Sequence, residues 1–279
     1  DFYNYILSLC KYTSYRINSF ILKKILILFL IIFPLNSFAT DYYIGEKINK
    51  VFKLNKHLSI DLSPGEWEVI RKTIFNWRTL NQRIIGIGRV ENNKVVEIIE
   101  IYEGLLSGKY VGAIDNIINQ IVFYDKYDGC YERPEYYLVK VYRKGSTHNC
   151  LVVSHIEVFK LLQSPDDPSL KGIAAPYNFW INSKGYDIPK IMLGSDHSYF
   201  SRLMRGNWFR IGRVIDPSIL NAPKSKYFSE ETSEYHPAKI ENHLLHKKTM
   251  DEWVKLSFDF HKKFEDKNQI KSHHKLKLN

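Results

Sequence analysis

The stretch "DGCYERPEYYLVKVYRKGSTHNCLVVSH", residues 128–155, brings together Cys130, His148, Cys150 and His155. Thiols and imidazoles can hold a metal ion, act as nucleophile and base, or, for two thiols, close a covalent bridge. A metal site built from these four is disfavoured, because Cys130 lacks a second cysteine two to four residues away, the spacing zinc sites use. A Cys/His nucleophile is disfavoured as well, since neither cysteine sits in a protease signature. In an oxidising compartment a Cys130–Cys150 disulfide is the expectation, with two free thiols as the alternative. Closing such a loop stabilises by ~3 kcal/mol on the chain-entropy account. With the hairpin turn centred on Gly145-Ser146, Cys150 falls opposite Val141 rather than Cys130. Residues Tyr131 to Glu135 must then double back along the hairpin, which five residues spanning at most ~17 Å can do. The two Cα atoms should lie within about 7 Å.

Three further constellations invite chemical readings. In "EYHPAKIENHLLHKK" (234–248), His243 and His246 stand three apart, with His236 reaching in from the loop. Metal binding would suit that spacing, but Lys247 and Lys248 repel a cation and no His-Glu-x-x-His motif is formed, so a solvated basic segment is preferred. "GSDHSYFSR" (194–202) holds Ser195, Asp196, His197 and Ser198. On a strand, neighbouring Asp196 and His197 point to opposite faces and cannot line up on one serine. "GIGR" (86–89) lacks a third glycine and sits in a β-alternating run, so its glycines mark a bulge or a close packing contact rather than a nucleotide loop. The chain's 19 Tyr, 16 Phe and 5 Trp could line a groove, but core packing is the preferred place for most of them.

The compartment is argued from "RINSFILKKILILFLIIFPLNSFATDYY" (16–43). Arg16, Lys23 and Lys24 precede an apolar run from Ile25 to Phe33, then Pro34, then small residues at Ser37 and Ala39. That is an export signal with cleavage after Ala39, and the run is far short of the ~20 residues a membrane-spanning helix needs. The chain holds no Met before Met192; a start at Leu22 would place residues 1–21 outside the precursor. Residues 1–39 hold four of the 40 basic and one of the 30 acidic residues, which leaves the remainder at +7. Such a charge supports solubility and weak contact with an anionic membrane surface, which the basic, disordered tail 267–279 would make. Nucleic acid is not an expected partner, because export removes it and no recognition motif is present.

The elements that must position these side chains are mostly strands. "HLSIDL" (57–62), "EWEVIRKTIF" (66–75) and a hairpin of "RIIGIGRV" (83–90) with "KVVEIIEIYEGLL" (94–106) come first. Apolar residues at three- and four-residue steps predict a helix over 108–124. A second hairpin follows (135–143 with 150–159), then a helix over 164–180 that Pro176 kinks or ends. Strands at 190–200 and 207–216 join through a tight turn at Arg205-Gly206. A last helix at 249–264 is expected to start at a Thr249/Glu252 capping box and to bury Met250, Trp253, Val254 and Phe258. Short hairpins impose antiparallel pairing, so the fold class is α+β, a mainly antiparallel sheet with two or three helices packed on it, in one globular domain over 40–266.

The layout of export signal, early "SPGEWEVI", Gly129-Cys130 before a hairpin and Cys150 just before "VVSHIE" resembles exported bacterial proteins of unassigned function. The order of elements is similar to Mog1/PsbP-like proteins, an analogy of fold that implies no activity. The resemblance implies export and one domain, and no site residues. The leading expectation is a periplasmic or secreted, non-enzymatic protein that binds an envelope protein or ligand, with no cofactor, metal or catalytic set. The rival is a hydrolase with dispersed residues, drawn from His155, Asp196, His197 and His243, with His246 a further polar candidate.

Overall fold

The computed structural model describes residues 42–54, 58–77, 80–105, 130–144, 147–158, 168–200, 208–268 and 276–278. The segment read as an export signal, the helix expected over 108–124, the turns expected at Gly145-Ser146 and Arg205-Gly206 and most of the basic tail lie outside them. Ten strands are described: β1 (Lys47–Ile48), β2 (Val51–Lys53), β3 (Ser59–Asp61), β4 (Trp67–Trp77), β5 (Leu80–Glu91), β6 (Lys94–Leu105), β7 (Tyr136–Lys144), β8 (Thr147–Glu157), β9 (Ile191–Phe200) and β10 (Trp208–Ile215). Eight form one sheet in the order β1-β4-β5-β6-β10-β9-β8-β7, while β2 and β3 make a separate pair. Every pairing between these strands is antiparallel. The fold is therefore α+β, as the hairpin pattern implies, with ten strands where eight were expected. Two meanders, β4-β5-β6 and β7-β8-β9-β10, meet where β6 pairs with β10.

Local chemistry fixes the hairpins. Asn92 and Asn93 adopt φ of 49° and 63°, the left-handed region a two-residue turn needs and asparagine tolerates. The turn sets the register Glu91↔Lys94. The central strands bury both parities: Ile84 with Ile85, and Val95 with Val96, are all nearly inaccessible. That requires cover on both faces, and two helices supply it.

Helix α1 (Pro168–Lys184) lies on one face and packs Tyr177, Trp180 and Ile181 against Ile70 and Val95. Pro176 sits inside it, and the helix runs on to Lys184 rather than ending there. Gly86 and Gly88 let it approach. A Cβ on Gly86 would overlap the Tyr177 hydroxyl, and one on Gly88 would come within 2.7 Å of the Trp180 ring. Gly86→Ala is accordingly expected to destabilise by ~1–3 kcal/mol through overpacking. Urea unfolding measures it, and an unchanged midpoint would contradict the close approach.

Helix α2 (Leu244–Lys267) and the β2–β3 pair cover the other face, over Trp67, Ile87, Ile99, Ile101, Phe209 and Ile211. The helix starts five residues earlier than the capping box implies. Thr249 is internal, its hydroxyl donating to the Leu245 carbonyl at 3.0 Å. Asn268 closes the helix, its amide donating to the carbonyls of Phe264 and Ser59 while its oxygen accepts from Ser59 N–H. The buried stripe runs through Met250 and Trp253 as expected, with Val254 and Phe258 only half-buried beside it, and continues through Ser257, His261, Phe264 and Glu265.

Candidate functional site

Three arrangements bear on chemistry, and the first is the cysteine pair. The β7–β8 register places Val141 opposite Cys150, as the turn geometry implies. Cys130 folds back onto the hairpin and meets Cys150 at disulfide distance, with Cα atoms 6.1 Å apart. His148 Nε2 lies 3.6 Å from Cys130 Sγ, and all three side chains are buried. The strand fold thus gathers three of the four residues that linear spacing had kept apart. His155 is not among them: its Nε2 bonds the Glu230 carbonyl oxygen at 2.8 Å, and its ring lies 5.9 Å from that of His236. Burial pushes its pKa below the usual histidine range.

The second arrangement is a buried hydrogen-bond chain under α2. Asp196 and His197 do point to opposite faces, but Ser195 and His197, two apart, share one. Ser195 Oγ lies 3.0 Å from His197 Nε2, His197 Nδ1 lies 3.2 Å from His261 Nδ1, and His261 Nε2 lies 2.6 Å from Asn149 Oδ1. Asn149 Nδ2 donates to Glu265 at 2.5 Å. Donor inventory fixes the tautomers. The asparagine amide donates to Glu265, so its oxygen accepts from His261 Nε2–H. A neutral His261 then accepts from His197 Nδ1–H, and His197 accepts the Ser195 hydroxyl proton. Both rings are held neutral. Burial, then His261 and the Arg213 charge, keep the His197 pKa well below normal; burial alone takes His261 to about 3. Sequence reasoning missed His261, Asn149 and Glu265 because apolar periodicity is blind to polar groups buried against one another.

The rings of His243 and His246 lie 5.9 Å apart, edge to face, but not as a pair on one helix face. His243 is the residue preceding α2, and His246 is buried with its ring edge-on to Tyr235, 4.9 Å away. The segment is therefore packed at His246 rather than solvated throughout, while Lys247 bonds Glu241 at 2.6 Å.

The third arrangement is a cavity of about 320 Å³ beside α1, on the sheet face opposite α2. Ile98, Ile156, Ile188, Met192 and Val214 give it apolar walls. At one side Glu100 accepts from Arg71 at 2.7 Å, from the Tyr177 hydroxyl at 2.9 Å and from the Tyr102 hydroxyl. Burial, reinforced by the Glu100 charge, raises both tyrosine pKa values, so the hydroxyls stay protonated. Asp196, the one sequence candidate on this face, forms a two-pronged pair with Arg210 at 2.9 and 3.0 Å. Their side chains stay 38% and 42% exposed, so they retain hydrogen-bonding capacity toward a guest. Each cation thus has its own carboxylate, and the cavity carries no net charge from these groups.

The glycines sharpen this picture. Cβ atoms at Gly86, Gly88 and Gly194 would all run into packed side chains. Gly212, which lines the cavity on β10, is different: a Cβ there would meet only Asp196 Oδ1 at 3.5 Å and the Glu100 carbonyl at 3.9 Å, ordinary contacts. A strand glycine without a packing neighbour fits a place where a ligand comes close to the backbone. No family model, curated protein or solved structure matches the chain.

Proposed function

We propose that the protein is an exported, non-enzymatic binding protein whose sheet cavity takes a small, mainly apolar molecule bearing an uncharged hydrogen-bonding group. The observation that carries this reading is the cavity's composition. Apolar walls flank a few convergent polar groups, the pattern of small-molecule sites, and the volume is at the lower end of their range. Paired charges offer donors and acceptors without a field that would select an ion. The n-region, apolar run and small residues before Ala39 support export, as does the meeting of Cys130 with Cys150.

The test uses N-phenyl-1-naphthylamine, a neutral fluorophore with an aromatic body and one N–H. Its emission should rise on binding the wild-type protein. Gly212→Leu should fill the cavity and weaken that binding by ~10-fold or more, which corresponds to at least 1.4 kcal/mol. Stability should change by less than ~1 kcal/mol, since the added Cβ finds only ordinary contacts in a strand. Binding that survives the filled cavity would overturn the reading.

A hydrolase is the second reading, favoured by the 3.0 Å contact between Ser195 and His197. Ser195 is only 4% exposed, however, which leaves little of it open to a substrate. Labelling of Ser195 by a fluorophosphonate would favour the hydrolase; absence of label supports the binding protein.

A further inference from the structure

We propose that Cys130, His148 and Cys150 form a redox-gated zinc site, closed while the cysteines are bridged and competent once they are reduced. Their ligand atoms lie within 4.8 Å of one another. A tetrahedral zinc with Zn–S of ~2.3 Å and Zn–N of ~2.0–2.1 Å sets its ligands roughly 3.6 Å (S to N) and 3.8 Å (S to S) apart. Cys130 Sγ and His148 Nε2 already stand at 3.6 Å. The two bonded sulfurs need to separate, with Cys150 Sγ already within 4.8 Å of the His148 ligand nitrogen, and they are carried by different segments, Cys150 by β8 and Cys130 by the chain ahead of β7. Two thiolates and a neutral imidazole also balance the dication, so the loaded site brings no net charge into a place where all three residues are at most 3% exposed. The fourth position goes to water, as in three-ligand zinc centres.

The chemistry balances with one reductant, a dithiol. It delivers two electrons and two protons to the Cys130–Cys150 bond, giving two thiols, and itself becomes a disulfide. Zinc then displaces both thiol protons as its bonds to sulfur form. The oxidised chain keeps the sulfurs bonded to each other and offers the cation only His148. Reduction followed by zinc binding thus turns a covalent clasp into a metal clasp that holds Cys130 to the same hairpin. This site is separate from the Gly212 cavity, and neither proposal depends on the other.

The experiment treats the full chain with a phosphine reductant, removes it by gel filtration, and adds zinc alone under anaerobic conditions. The reduced protein should bind one zinc and the oxidised protein none at the same concentration. Zinc should raise the Tm of the reduced form and leave the oxidised form unchanged. His148→Ala should weaken zinc binding by at least ~10-fold, since even outer-shell changes at metal sites have effects of that size, while its oxidised form remains folded. Cobalt in place of zinc should give thiolate-to-metal charge transfer and the visible bands of a tetrahedral centre. Near-UV circular dichroism tracks folding throughout, because unfolded chains also bind metal through Cys and His. If the reduced chain unfolds, zinc should refold it. Failure to refold, zinc uptake unaffected by His148→Ala, or no uptake by folded reduced protein would each overturn the proposal.

Discussion

At pH 5 the protein is expected to be at least about 2 kcal/mol less stable than at pH 7, the share of His261, with the like-shifted His197 adding to the loss. Both rings are buried and neutral, with His261 at a pKa of about 3 and His197 well below its usual value. In the unfolded chain each titrates near 6.5. The folded pKa is the depressed one, so the stabilisation is full above ~6.5 and is lost as pH falls from there toward the folded values. Unfolded chains pick up protons that the folded state refuses, which for His261 gives a slope near 1.4 kcal/mol per pH unit, or about 2 kcal/mol by pH 5, and His197 adds in the same direction. The surroundings do not rescue a charged ring. His197 faces Ser195, His261, Phe260 and the Arg213 charge, while His261 faces Asn149 and Tyr199, with Glu265 reached only through the amide. His155 and His246, also shifted down by burial, push in the same direction. Urea midpoints at pH 7, 6 and 5 measure the slope; stability that is flat or rising on acidification would contradict the neutral, buried chain.

His261→Leu is expected to destabilise by roughly 2–5 kcal/mol at pH 7, although leucine is apolar and helix-forming. The substitution leaves Asn149 Oδ1 and His197 Nδ1–H without the partners they have at 2.6 and 3.2 Å. Each buried orphan costs about 1–3 kcal/mol. The variant should also lose one histidine's share of the pH slope, ~1.4 kcal/mol per unit. Those two readouts separate a hydrogen-bonded clamp from simple packing. A leucine that left stability unchanged would show that the chain does not hold α2 to β8 and β9.

What was legible in the sequence follows from locality. Asn92-Asn93 announces its own turn and sets the β5–β6 register, and centring the second hairpin on Gly145-Ser146 in the sequence suffices to place Cys150 opposite Val141. The start of α2 was misplaced for an equally local reason. His243, the preceding residue, makes no side-chain cap, whereas Thr249 and Glu252 imitate a capping box inside the helix. The cavity could not be read at all. It depends on β10 pairing not only with its sequence neighbour β9 but also with β6, far away in the chain, which brings Gly212 beside both Glu100 and Asp196. The signal that was present lay in the alternation of β10: Phe209, Ile211 and Ile215 are buried on one face, while Arg210 and Gly212 stand on the other.

Methyl-resolved NMR with N-phenyl-1-naphthylamine tests the cavity most directly, because the sheet's two faces carry distinct reporters. Ile98, Ile156, Met192 and Val214 line the cavity, whereas Ile99, Ile101, Leu193 and Ile215 pack under α2 and its neighbours. Saturable shifts at the first set, absent from the second and lost in Gly212→Leu, are the predicted result. Shifts confined to the α2 face, or none at saturating probe, would contradict it.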